Sequence, residues 1–210
     1  MTGQAETADR SESRPAGDTR AKILATAREL FLRNGYAGTS MVSIGKALGI
    51  SAQALYWHFR SKEALVFALV EEPLADFAAA VDNPAPDPAD RLSNMVRDYV
   101  LYQLARQHDL PGYTSLARVA QSGHILSPEH QATLRKMQHA IYRRYLATLN
   151  EGADAGVFRL ADPVATAFAI ISMCEHVNDW ARPEGRLAPA EVAGEYVRLA
   201  LRMAGARTGR

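Results

Sequence analysis

The chain of 210 residues is 48% hydrophobic and 22% charged, a globular balance that excludes general disorder and supplies a sizeable core. A single cysteine, Cys174, excludes an internal disulfide framework and a cysteine-based zinc finger, and no apolar run approaches the roughly 18 residues of a membrane span. The net charge of +1 argues at face value against a polyanionic partner, yet residues 19–70 hold seven basic and two acidic residues, hidden by acidic flanks at 1–18 and 71–210.

In chain order, residues 1–18 are polar, with Pro, Gly and Ser, and are expected as a flexible arm. They lack the apolar region of a signal peptide, so a cytoplasmic protein is expected. From Thr19, Ile23, Leu24, Ala27, Leu30 and Phe31 fall on one helical face, and Asn34-Gly35 supplies the stop. Thr39-Ser40 offers an N-cap to a short helix with Val42, Ile44 and Leu48, which Gly49 breaks. Ser51 caps a second short helix from Ala52 to about Phe59, and Ser61 caps a longer one running to about Val81, with Glu63 in its first turn. Asp87-Pro88, Ser127-Pro128 and Asp162-Pro163 then place a capping residue before a proline, and Ala188-Pro189 repeats the device without the cap. The expected fold is all-α with about nine helices: an N-terminal three-helix, helix-turn-helix domain at 19–66, a larger helical domain at 67–205, and a tail at 206–210.

The stretch SMVSIGKALGISAQALYWHF, residues 40–59, reads as helix, tight turn and helix. Ile44, Leu48, Ile50 and Leu55 hold the pair together. The second helix then displays Gln53, Ala54, Tyr56, Trp57 and His58. Gln can bond adenine bidentately, and small apolar groups can meet the thymine methyl. Tyr, Ser and Lys can hold phosphate and set the register. Ser40, Lys46, Ser51 and Lys62 lie at or near helix starts, where backbone N–H groups also favour phosphate. Leu55 and Phe59 take the inward phase, which leaves Trp57 outward.

Residues 20–66 resemble the DNA-binding domain of the TetR/AcrR family of transcriptional regulators. The resemblance rests on Arg20, Ile23, Leu24, Ala27, Leu30, Phe31, Gly35, Tyr36, Thr39, Ser40, Ile44, the run Gly49-Ile50-Ser51, and above all Leu55-Tyr56-Trp57-His58-Phe59 with Ser61-Lys62-Glu63-Ala64-Leu65. It implies a three-helix DNA-binding head, a fourth helix linking it to an effector domain, a homodimer, and double-stranded DNA carrying a palindromic operator as partner. It further implies base or backbone contacts for Gln53, Ala54, Tyr56 and Trp57, and phosphate contacts for Ser40, Tyr56 and Lys62.

In the C-terminal part, one helix is expected over 162–181, with Val164, Phe168, Ile171 and Glu175 in one phase and Met173, His176 and Trp180 in another. A last helix over 189–204 carries Val192, Tyr196, Leu199 and Met203 on one face and Val197 and Leu201 on another. Two apolar sides on consecutive helices suit a four-helix bundle across a two-fold axis. Packing of both sides within one subunit is the alternative; with the homodimer that the resemblance implies, Phe168, Ile171, Glu175, Val192, Tyr196, Leu199 and Met203 are the expected dimer interface. The expected effector site combines Tyr99, Tyr102 and Gln103 on the fifth helix, Tyr113 on the sixth, Met137 on the seventh, and Met173, His176 and Trp180.

The stretch from Trp180 through Arg182, Arg186 and Pro189 to Glu191 resembles the C-terminal signature of a TetR branch related to regulators of fatty-acid and sterol-side-chain catabolism. Glu184 stands where that branch has a glycine, and Ala181 where it has an aromatic. The branch implies a repressor released by a small hydrophobic effector, with acyl-CoA thioesters as one class. A repressor of efflux that responds to aromatic compounds is the alternative. An all-α enzyme is a third reading, but Gly38 and Gly45-Lys46 fail the phosphate-loop spacing, and no GxGxxG, HExxH or GxSxG occurs. Neither a cofactor nor a metal is expected, and no membrane partner.

Overall fold

The computed structural model describes residues 16–107, 116, 117, 120, 125–182 and 184–206. Among them are α1 (Ala16–Asn34), α2 (Met41–Leu48), α3 (Ala52–His58), α4 (Lys62–Ala80), α5 (Pro88–Ala105), α6 (Pro128–Asp154), α7 (Pro163–Glu175), a 3-10 turn (Val177–Asp179) and α8 (Pro189–Met203), with no strand. The chain divides into two compact units, one running to Leu65 and the other starting at Val66.

In the first unit, α2 packs on both α1 and α3. Ile23, Ala27, Ile44 and Leu55 are fully excluded from solvent and form its centre, with Phe31 and Phe59 nearly so. Thr39 is a buried polar exception; its hydroxyl lies 2.9 Å from the Gly35 carbonyl and 3.1 Å from that of Leu30, so its burial leaves no orphan. Ser40 and Ser43 then close a capping box, each side chain accepting from the other's backbone N–H at 2.9–3.0 Å. Gly49 ends α2 at φ 68°, the left-handed conformation that costs glycine least. Two residues later the Ser51 hydroxyl accepts from Ala54 N–H at 3.1 Å and starts α3. The reversal between α2 and α3 is thus specified entirely by local chemistry.

The second unit has α5 as its axis. It packs most extensively on α8, and also on α6 and α7. Leu92, Val96, Val100, Tyr145, Leu149, Ile170 and Ala200 are its innermost residues. Asp87 and Asp162 cap α5 and α7, each carboxylate accepting from two backbone N–H groups. At the uncapped start of α8, Glu191 reaches back to accept from Ala188 N–H at 2.7 Å. Close packing fixes Gly152 on α6, because a Cβ there would overlap the buried Phe158 ring. Gly152→Ala is expected to lower stability by roughly 1–3 kcal/mol through overpacking, seen as a lower urea midpoint at unchanged m-value.

Two expectations are corrected. The single helix over 162–181 ends at Glu175 and gives way to the 3-10 turn, because Val177 turns into the core and Asp179 N–H bonds back to the His176 carbonyl at 3.1 Å. The α-helical stripe of Met173, His176 and Trp180 therefore does not exist: Met173 is half-buried, His176 caps the helix in solvent, and Trp180 lies beyond the turn. The described residues hold eight α-helices; the predicted sixth helix with Tyr113 lies outside them, as does most of the arm.

Candidate nucleic-acid interface

α3 sorts its side chains by depth. Leu55 is fully buried and Phe59, just past the helix, is 5% exposed. Gln53, Tyr56, Trp57 and His58 are exposed and Ala54 is half-buried. Trp57 is 85% exposed and Tyr56 49%. Leaving a tryptophan this open gives up most of its burial energy, roughly 2 kcal/mol for a large apolar side chain. With a tyrosine beside it, on one short helix anchored by Leu55, the arrangement is a rigid, amphipathic contact surface.

Ser40 and Ser51 are exposed at the starts of α2 and α3, with their hydroxyls already accepting from Ser43 and Ala54 N–H. Lys46 is exposed on α2, and Arg60 is exposed just after α3. Lys62 is different. Its half-buried ammonium donates to the Tyr36 and Thr39 carbonyls at 2.8 and 2.9 Å and sits 4.0 Å from the centre of the Tyr36 ring. Two of its three N–H groups are spent inside the head, so Lys62 ties the loop before α2 to the start of α4 and has one donor left for an outside acceptor. Arg20 lies over the Phe59 ring at 5.1 Å. Burial, with the Glu63 charge second, pushes the Tyr36 hydroxyl above its ordinary pKa. Lys62→Ala is expected to destabilise this unit by about 1–3 kcal/mol, because two carbonyls lose a charged donor, and Lys62→Arg is expected not to restore the two-carbonyl geometry; thermal unfolding of the two variants checks this.

Of the residues expected around an effector, Tyr99 and Tyr102 meet at the Phe77 ring, His176 and Trp180 are exposed, and Tyr113 lies outside the described residues. Tyr99 is buried edge-on against Phe77, with centroids 4.5 Å apart. The Tyr102 hydroxyl donates to the Pro73 carbonyl at 3.0 Å, inside α4, and Arg106 covers its ring. Gln103 and Met137 are half-buried. His176 Nδ1 is 2.8 Å from the Ser172 carbonyl, out in solvent. Trp180 is 52% exposed and donates to the Tyr196 hydroxyl at 2.8 Å, its ring stacked on that tyrosine. The polar handles of Tyr102, His176 and Trp180 are thus engaged within the unit, and His176 and Trp180 face outward.

Two polar atoms that the spacing did not single out are buried without a hydrogen-bond partner among the described residues: the Tyr145 hydroxyl and Asn178 Oδ1. Tyr145 was hidden because Ile141, Tyr145 and Leu149 form an ordinary core stripe on α6. Beside it, burial pushes the Cys174 thiol up to about 12, helped by the Glu175 charge. Cys174 is therefore expected to resist iodoacetamide in the native state at pH 8 and to react on unfolding, read by mass spectrometry.

The expected dimer face divides. Val192 and Tyr196 are 2% and 6% exposed, because α8 packs them inside the unit, so they are not available to a partner. Phe168, Leu199 and Met203 are 58%, 40% and 42% exposed, joined by Val164 at 47%. Ile171 is half-buried and Glu175 is exposed.

Comparison with known proteins follows the same division. Residues 23–69 match the family described as bacterial regulatory proteins, tetR family, and residues 85–204 match the tetracyclin repressor-like C-terminal domain. The HTH-type transcriptional regulator UidR of Escherichia coli K12 is 44% identical over 71 residues, 32% of this chain and 36% of its own length. The chain thus spans about a third of the curated relatives it first matches. A tetR-family regulatory protein from Rhodococcus RHA1 is 33% identical, with 90% of this chain and 98% of that one covered at a TM-score of 0.72. AibR, solved with isovaleryl coenzyme A and operator DNA, is 24% identical over 89% of this chain and 98% of that one, with a TM-score of 0.66, a likeness of fold alone. No helix among the described residues is long and apolar enough to cross a membrane. A basic, externally displayed helix-turn-helix, followed by a helical unit that matches the second family domain over most of its length, places this chain in the TetR family of transcriptional regulators.

Proposed function

We propose that this protein is a homodimeric repressor that binds a palindromic operator in double-stranded DNA and is released by a small, largely apolar effector, with CoA thioesters as the class. The observation that carries the DNA-reading role is the Tyr56–Trp57 pair, held outward by the buried Leu55 in the most basic part of the chain. Gln53, Ala54, Tyr56 and Trp57 supply base and backbone contacts in the major groove. Ser40, Lys46, Ser51, His58 and Lys62 supply contacts to phosphate, which fix register without reading sequence. The basic head also makes binding fall with salt, through counterion release.

The dimer reading is supported by the exposed apolar side chains of α7 and α8, Val164, Phe168, Leu199 and Met203. The doubly substituted Phe168→Glu, Leu199→Glu variant is expected to sediment as a folded monomer and to lose operator binding, since one head makes half the contacts. A dimeric variant with unchanged affinity would contradict the assignment.

Release follows from linkage. A ligand that binds better to the conformation with weaker DNA affinity shifts the population there, by no more than its differential affinity. The CoA-thioester class draws on the fold shared with AibR, whose structure holds isovaleryl coenzyme A, and on the likeness of residues 180–191 to the lipid-catabolism branch. The test is capture of genomic duplex fragments, followed by anisotropy titration of a captured fragment between 50 and 200 mM salt, with and without isovaleryl-CoA. Tight binding to one captured sequence that weakens steeply with salt and with isovaleryl-CoA is expected. Equal binding to a scrambled duplex would overturn the reading.

A further inference from the structure

The second unit contains a polar contradiction at its centre. Tyr145 is fully excluded from solvent, yet its hydroxyl has no hydrogen-bond partner among the described residues. Asn178 Oδ1 is in the same condition. Native proteins seldom leave such groups unpaired, and each exception asks for something that satisfies it.

The surroundings define what that something must be. Tyr145 projects from α6 among neighbours that include Tyr99 on α5 and Cys174 on α7. Asn178 follows α7 in the 3-10 turn, and its Nδ2 donates to the backbone carbonyl of Gln103 at 3.3 Å, one helical turn beyond Tyr99 on α5. The two orphan atoms therefore lie along one seam between α5 and the α7 end. Because Nδ2 is engaged, the orientation of the Asn178 amide is set, and Oδ1 can take only a hydrogen-bond donor. Tyr145 stays a neutral hydroxyl, able to donate or accept, since burial raises its pKa. Cys174 beside it stays a neutral thiol. The buried polar and charged side chains among the described residues are Thr39 and Thr148, so no buried Lys or Arg attends this seam.

We infer that Tyr145 and Asn178 are the polar anchors of the effector site, and that the part of the ligand they hold is uncharged and presents an amide N–H or hydroxyl beside an otherwise apolar body. This rests on the ligand-responsive reading above and sharpens it. A carboxylate offers Asn178 Oδ1 no donor and finds no buried cation to offset its desolvation. The pantetheine arm of a CoA thioester, which carries two neutral amides, meets the requirement; the free acid released from that thioester does not.

The experiment uses the full chain with hexanamide, hexanoate and isovaleryl-CoA as probes, read by calorimetry and by release of a captured operator. Hexanamide and isovaleryl-CoA are expected to bind, and hexanoate to bind at least tenfold more weakly than hexanamide. Tyr145→Phe and Asn178→Leu are each expected to weaken hexanamide about tenfold, the worth of one lost hydrogen bond to a buried group, while leaving operator affinity without ligand unchanged. Should Asn178→Leu fail to fold, Tyr145→Phe, which removes one oxygen from a filled site, carries the test alone. Binding of hexanoate as tight as that of hexanamide, no binding of either neutral probe, or probe affinities untouched by Tyr145→Phe would overturn the inference. Loss of operator binding by the unsubstituted protein would instead overturn the proposed function, so the two failures are separable.

Discussion

Trp57→Ala is expected to leave thermal stability nearly unchanged and to weaken operator binding by roughly 10- to 100-fold, a loss of about 1–3 kcal/mol summed over the complex. The physical basis is the 85% exposure of the indole. A side chain that contacts little in the free protein contributes little to folding, so its removal is within the small range of ordinary surface substitutions. What it loses is a large rigid face placed beside Tyr56. Tyr56→Ala is expected to behave in the same way, and a Trp57→Ala, Tyr56→Ala cycle tests whether the two act on one patch of the groove, through a coupling larger than the additive limit. Direct titration of the captured duplex, alongside calorimetric melting, reads both quantities.

Two residues earlier on the same helix, Leu55→Ala is expected to do the reverse. Leu55, on α3, is fully buried in a unit where α2 packs on both α1 and α3 and whose whole core is a handful of side chains. Truncation removes transfer energy and leaves a cavity, at a cost of about 2–5 kcal/mol. That is a large part of what a unit this small can hold in reserve. The expected outcome is loss of DNA binding through unfolding of the head, with early amide exchange in α1–α3 and retained helicity in α5–α8. Hydrogen exchange by mass spectrometry distinguishes this from a local contact loss. The pair of results, stability without binding at 57 and binding lost with stability at 55, separates reading from scaffolding on one turn of helix.

Where local chemistry sets the backbone, the sequence was legible. Ser40, Gly49 and Ser51 each act through their own atoms within three residues, so the helix-turn-helix follows from identity and spacing. Trp57 was legible for a related reason: Leu55 and Phe59 exhaust the inward phase of a seven-residue helix. Lys62 was not, since its partners are the carbonyls of Tyr36 and Thr39, 26 and 23 residues away. The break after Glu175 was missed because no glycine or proline marks it; it comes from Val177 turning inward, a tertiary effect. The face of α8 was legible as a stripe, but periodicity does not say which neighbour covers it. α5 takes much of the packing of α8, whose Val192 and Tyr196 are buried, while Leu199 and Met203 remain outside. The same blindness hid Tyr145, a polar tip on an apolar stripe, whose significance lies in the partner it lacks.

A protection footprint on a captured duplex tests the central claim most directly, that two α3 helices read a palindrome from a basic head. Two protected half-sites are predicted, centred about 10–10.5 base pairs apart or a multiple of that spacing and related by inverted symmetry, both lost together in Trp57→Ala at protein concentrations that saturate the unsubstituted form. Uniform protection along the duplex, insensitive to sequence and to Trp57, would contradict it.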